Sequence, residues 1–113
     1  MSELHQQSCQ PIAKDGNPLD KQQISDYLQQ TPGWNQTGSN QNDPQQIQRK
    51  FTFKDYYQTI TFVNAVAWIV QQNDHHPDMQ IGYNKCIVTF TTHSVNGLSI
   101  NDFICAAKIN TLL

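Results

Sequence analysis

Charge is what this sequence has least of. Charged residues make up 14% of the chain, and the formal net charge is −2 at pH 7. The seven lysines and arginines are scattered, with Arg49-Lys50 the one adjacent pair. No general basic field results, so direct binding of nucleic acid is not expected. Cysteine is scarce too. Cys9, Cys86 and Cys105 are odd in number and lack Cys-x-x-Cys spacing, which argues against a disulfide framework and against a zinc motif. Cys86 and Cys105 stand among apolar neighbours and read as buried thiols. No apolar run reaches bilayer-spanning length, so no membrane association is expected. Residues 1–10 lack the apolar core of a secretory signal. A reduced, cytoplasmic setting fits these features. Gly-x-Ser-x-Gly is missing, as is any phosphate-cradling glycine loop, which removes the common serine-nucleophile and nucleotide sites.

What is present suffices for one small core. Hydrophobic residues are 37% of 113, and Gln and Asn are abundant. Residues 1–17 are polar and broken by Pro11 and Gly16, and they read as a flexible lead-in. Within them His5 stands alone, as a solvated tail residue. Residues 18–113 read as a single domain.

Asp20 with Gln23 three positions on has the form of a capping box, with Leu19 and Ile24 in the staple positions. The helix it opens carries Ile24, Tyr27 and Leu28 on one stripe and stops near Gln30, before Pro32-Gly33. Ile47, Arg49, Phe51 and Phe53 alternate with polar residues, the period of a half-buried strand. Trp34–Thr37 and Gln46–Phe53 therefore form a hairpin across a polar, turn-rich stretch from Gly38 to Pro44. Asp55 with Gln58 starts a second helix that runs to about Asn73. Tyr57, Phe62, Val66, Ile69 and Val70 are its expected apolar face. Trp68 reads as core or interface rather than as a ligand platform. Met79, Ile81 and Tyr83, then Cys86, Val88 and Phe90, predict a second hairpin turning at Asn84-Lys85. His93 shares the opposite parity if the strand runs straight to it. Ser99 with Asp102 opens a last helix whose apolar side carries Ile100, Phe103, Ile104 and Ala107. The order α-β-β-α-β-β-α implies an α+β domain: a two-layer, four-stranded antiparallel sheet covered on one face by helices.

Chemistry concentrates between Asp74 and Asp102. Three of the four histidines lie there: His75, His76 and His93. Imidazole both gives and takes protons near neutral pH. The His75-His76 pair falls just past a helix C-terminus, which raises a nearby histidine pKa modestly. Pro77 stiffens the chain after it. Asp102 is at least the acid of a capping box and, on a functional reading, also orients an imidazole. A metal site on His75, His76, Asp78 and His93 is the rival reading. Adjacent histidines rarely aim at one point, and the strong zinc spacings are missing, so no metal is expected.

Asp74-His75-His76-Pro77, Tyr83-Asn84-Lys85, Thr92-His93 and Gly97-Leu98-Ser99 with Asp102, taken in order, resemble the pterin-4a-carbinolamine dehydratase family. The similarity extends upstream through Pro32-Gly33-Trp34, Phe51-x-Phe53-Lys54-Asp55 and Phe62, over about residues 19 to 112. The resemblance implies a hydro-lyase that converts 4a-hydroxytetrahydropterin to quinonoid dihydropterin. It thereby recycles the pterin of aromatic amino acid hydroxylases, notably phenylalanine hydroxylase. It implies no metal and no cofactor, and a homodimer or homotetramer. His75, His76 and His93 carry over as the catalytic histidines. Acid/base work is assigned to His75 and His93. Substrate contact is assigned to His76, Asp74, Thr92 and Pro77, and Asp102 is a supporting residue. One position departs from the family's pattern: a carboxylate usual four residues before the pair is here Gln71. A role of a different class goes with the same resemblance, a non-catalytic dimerisation or scaffold protein for a hydroxylase or a transcription regulator.

Overall fold

The computed structural model describes residues 3–14, 16–38 and 45–113. Three helices and four strands follow in the order α1 (Lys21–Gln30), β1 (Asn35–Thr37), β2 (Gln46–Thr52), α2 (Tyr56–Asn73), β3 (Asp78–Ile81), β4 (Lys85–Phe90) and α3 (Ile100–Asn110). The strands form one antiparallel sheet in the spatial order β1-β2-β4-β3. This is the expected α+β architecture. No helix among the described residues is long and apolar enough to cross a membrane.

Strand parity sets the two faces of the sheet. Ile47 pairs with Phe90, Arg49 with Val88, and Phe51 with Cys86. These pairs point inward, and all but Arg49 are buried. Arg49 reaches over the Phe51 ring and donates to Asn110 Oδ1 and to the Pro32 carbonyl. The outward row is polar apart from Ile87, with Gln48 Nε2 donating to Thr89 Oγ1 at 3.0 Å.

Two of the expected capping boxes form completely, Asp20 with Gln23 and Ser99 with Asp102. At α2 the Asp55 side chain accepts from Gln58 N–H, while the Gln58 amide reaches back to Lys54 N–H.

Several local expectations need correction. Trp34 is not in β1. Its ring is buried against Phe51 and Phe90, and its Nε1 donates to Asn110 Oδ1 at 2.9 Å. The turn-rich stretch lies, beyond Gly38, outside the described residues. The second hairpin turns at Tyr83-Asn84, because Gly82 N–H bonds the Lys85 carbonyl at 2.8 Å and Ile81 pairs with Cys86. That slip of two residues preserves parity, so Met79 still faces the core.

On α2 the buried residues are Thr59, Phe62, Val66 and Val70. Tyr57 is 80% exposed. It lies five residues from Phe62, about 140° around the helix. Trp68, 68% exposed, is likewise outside the core. The largest correction is α3, which buries nearly its whole circumference, from Asn101 to Ala107 and Ile109, rather than one stripe. The segment read as a lead-in covers its far side. Leu4 is buried in the core, His5 O accepts from Lys108 Nζ, and Gln10 exchanges two hydrogen bonds with the Asn101 side chain.

Candidate functional site

α2 ends in a Schellman motif. Asp74 N–H bonds Gln71 O, and His75 N–H bonds Val70 O five residues back. Asp74 occupies the left-handed position with φ 49° and ψ 42°, which a short polar side chain tolerates better than most. This tight stop turns His75 back toward the sheet. Its ring stacks on Phe90, with centroids 5.7 Å apart and planes 7° apart. Only 13% of the side chain remains exposed.

The other half of the site comes from the chain after β4. That strand stops at Phe90, so the parity expected for His93 does not apply. Thr92 instead forms an isolated antiparallel bridge with Gly97, and a short 3-10 turn over His93–Val95 lies between them. Asn96 closes the turn in the left-handed region at φ 52°. His93 is exposed at the start of the turn, and Val95 is buried beneath it. Residues Ser99 and Asp102 then start α3.

Asp102 joins the two halves. Its side chain has no exposed surface. Oδ1 lies 2.5 Å from His75 Nε2. Oδ2 accepts from Thr92 Oγ1 at 2.8 Å and from Ser99 N–H at 3.0 Å. Thr92 Oγ1 in turn accepts from Ser99 Oγ at 2.7 Å, and Ser99 Oγ accepts from Asn101 N–H at 3.3 Å. Every neighbour of the carboxylate donates to it. The network therefore assigns the Nε2 proton to His75 and leaves Nδ1 as the ring nitrogen without a protein partner among the described residues. Burial works to lower the His75 pKa. The hydrogen bond and charge of Asp102 outweigh it, with smaller help from Cys9 and Asp74, and the net shift is upward. The expected direction is met, but chiefly through a carboxylate 27 residues away.

The remaining predicted residues are placed as follows. His76 is exposed, with Nε2 3.5 Å from Gln71 Oε1 across the last turn of α2. Pro77 is half-buried and leads into β3. Asp74 is exposed. Thr92, expected as a substrate contact, is buried and commits its hydroxyl to Asp102 and Ser99. His75, Thr92 and Asp102 are thus in direct contact. His76 and His93 each directly follow a residue whose side chain binds Asp102, His75 and Thr92, so each Cα lies about 3.8 Å from the Cα of that residue. Sequence reasoning missed Phe90 as the platform for His75, and missed Ser99 as part of the network. The Ser-x-x-Asp box was the available signal for Ser99.

No three His, Cys, Asp or Glu side chains among the described residues converge as a metal ion would need. A groove of about 730 Å³ lined by Lys21, Ile24, Leu28 and Gln36 contains none of the histidines. It offers Lys21 as its one ionisable group, so we place the candidate site at Asp102 and not in this groove.

Comparison with known proteins points to one family. Residues 17–112 match the family described as Pterin 4 alpha carbinolamine dehydratase. A Nitrosospira multiformis protein provisionally named pterin-4-alpha-carbinolamine dehydratase is 49% identical over 112 residues, 99% of this chain and 94% of that one. A Nitrosomonas eutropha protein of the same name is 50% identical, covering 98% and 94%. A solved structure described as a transcriptional coactivator/pterin dehydratase from Brucella melitensis superposes with a TM-score of 0.77 at 31% identity, covering 85% of this chain and 98% of that one. With a match over nearly the whole domain, the chain belongs to the pterin 4 alpha carbinolamine dehydratase family, a family of hydro-lyases.

Proposed function

We propose that this protein dehydrates pterin-4a-carbinolamine to quinonoid dihydropterin by histidine acid/base catalysis. Family membership supports the reaction. The observation that carries the catalytic reading is the contact of His75 Nε2 with buried Asp102 at 2.5 Å, which leaves Nδ1 free to exchange a proton.

The reaction needs two proton transfers and no redox change. The C4a hydroxyl must be protonated as the C–O bond breaks, so that it leaves as water. The N5 proton must be removed as the N5 electron pair forms the C=N bond. Each positioned transfer contributes about 10² to 10⁴ in rate. The raised pKa of His75 favours its charged form, which suits the acid that protonates the hydroxyl. His93, exposed on the 3-10 turn after Thr92, is assigned as the base at N5. His76 with Asp74 and Pro77 is assigned to hold the pterin, and Thr92 with Asp102 to orient His75. Residues 18–113 are taken as the catalytic domain.

The same reading links the protein to phenylalanine hydroxylase, whose used pterin it would recycle, in the cytoplasm. It also includes a homo-oligomer, supported by the exposed Tyr57 and Trp68 on the outer side of α2. The direct test follows decay of enzymatically generated 4a-hydroxytetrahydropterin with wild type and His75→Ala. Acceleration by wild type and its loss in the variant are expected. No acceleration by a folded, oligomeric wild type would end the catalytic reading.

A further inference from the structure

Two thiols meet beneath the histidine network. Cys9 Sγ and Cys105 Sγ lie 3.5 Å apart, although 96 residues separate them in the chain. Cys105 is one turn beyond Asp102 on α3 and is fully buried, with its Sγ 3.9 Å from the His75 carbonyl oxygen, while Cys9 Sγ lies 3.7 Å from the Asn101 carbonyl oxygen. Cys9 is partly exposed, on an irregular extended segment. That segment is held on both sides of the sulfur. Cys9 N–H donates to Asn73 Oδ1 at 3.2 Å, and Gln10 exchanges bonds of 3.1 and 2.7 Å with the Asn101 amide. Cys9 precedes residue 17, where the family match begins, whereas Cys105 lies inside the matched region. The third cysteine, Cys86, is buried in the sheet opposite Phe51.

The two sulfurs differ in character. The hydrogen bond from Cys105 lowers the Cys9 pKa against the effect of burial, with His75 and Lys108 adding to the lowering. The same bond raises Cys105, together with burial and the Cys9 charge. A partly exposed cysteine whose pKa is lowered, within 3.5 Å of a buried one whose pKa is raised, is the arrangement of an attacking and a resolving thiol.

We propose that Cys9 and Cys105 form a redox-active dithiol, which closes to an intramolecular disulfide by exchange with a small-molecule disulfide of the glutathione class. The Cys9 thiolate attacks one sulfur of that disulfide. A Cys9 mixed disulfide forms, and one thiolate leaves. Capping Cys9 removes the hydrogen bond and the charge that keep Cys105 protonated. Cys105 then gives up its proton and attacks Cys9 sulfur, forming the Cys9–Cys105 bond. The second small thiolate leaves and takes that proton. The protein loses two electrons and two protons, and one small disulfide becomes two thiols. Closure brings the sulfurs from 3.5 Å to about 2.05 Å. Cys9 makes that movement, because Cys105 is fixed in a helix packed on all sides. The product is a covalent clasp that holds the segment from Leu4 to Gln10 against α3, directly below His75.

The test equilibrates the full chain with mixtures of reduced and oxidised glutathione, then traps free thiols with a maleimide and reads intact mass and peptide maps. Wild type is expected to end with a single free thiol, on Cys86, and a Cys9–Cys105 cross-linked peptide. C86S is expected to close in the same way. C105A is expected to stop at the Cys9 mixed disulfide, and C9S to keep Cys105 and Cys86 free. Retention of all three thiols by wild type at the oxidising end, or a persistent Cys9 mixed disulfide in wild type, overturns the proposal. So does a cross-link that includes Cys86.

Discussion

The imidazole of His75 meets the carboxylate of Asp102 at 2.5 Å, 27 residues along the chain, and the acid has no exposed surface. One side chain therefore does two jobs. Asp102 closes the capping box of α3 through Ser99 N–H, and it fixes which nitrogen of His75 carries a proton. The N-terminus of a helix and the orientation of a candidate catalytic group cannot be changed independently here.

Asp102→Asn tests that double role. Donors converge on both oxygens, so an amide nitrogen placed on either side faces another donor. We expect kcat/KM to fall roughly 10²-fold or more. We also expect a loss of about 3 kcal/mol in urea denaturation, the low end for breaking a buried charged pair. A variant with the wild-type rate would remove Asp102 from the catalytic reading.

The raised pKa of His75 makes stability depend on pH. The folded protein binds the His75 proton more tightly than the unfolded chain, whose imidazole titrates near about 6.5. The stabilisation is therefore complete below that value and is lost as pH rises through the higher folded value. The urea midpoint of wild type should decline with pH over this window, and that of His75→Gln should lack this component. Parallel profiles for the two proteins would contradict the assignment.

Thr92→Val removes one donor from Asp102 Oδ2 and the acceptor of the Ser99 hydroxyl while keeping the shape. Such an unpaired buried group costs about 1–3 kcal/mol. Chemical denaturation should show that loss. The pH–rate profile should shift because Asp102, the partner of His75, loses one of the donors that hold it, and Thr92→Ser should restore both.

The division of labour among the histidines can be read from kinetics. His93→Ala should lower kcat much more than it raises KM, whereas His76→Ala should act mainly on KM. The opposite split would reverse the proposed roles.

Gln71 stands 3.5 Å from His76, at the position where a carboxylate is usual in the resemblance read from the sequence. Gln71→Glu would set a negative charge beside that imidazole and favour its protonated form. The pH–rate profile should move to higher pH. An unmoved profile would show that this position does not tune the site.

Local chemistry was well legible. The Asp20 and Ser99 boxes follow from partners three residues apart, and the faces of β2 and β4 follow from strict alternation. The histidine cluster was legible as a set of residue types and Asp102 as a residue that could orient an imidazole, but which imidazole it meets was not, because its partners follow α2 and β4 and precede α3. Nor could periodicity reveal that α3 is buried all round. Its outer cover is the stretch around Leu4 and Gln10, more than ninety residues earlier, in a segment whose composition reads as solvent-exposed. The hairpin turn was misplaced by one position because Asn84-Lys85 and Tyr83-Asn84 keep the same parity, and the pairing of Ile81 with Cys86 decides between them.

The bridge between Thr92 and Gly97 has an evolutionary corollary. It fastens the two ends of the His93 turn to each other, with Val95 as a peg into the interior. Ser94, exposed at the rim, can therefore be exchanged while the clamp below it is retained, whereas Asn96, at φ 52°, is restricted to residues that tolerate the left-handed region. Relatives could diversify what surrounds His93 there, as interchangeable trim on a fixed frame, without redesigning the interior.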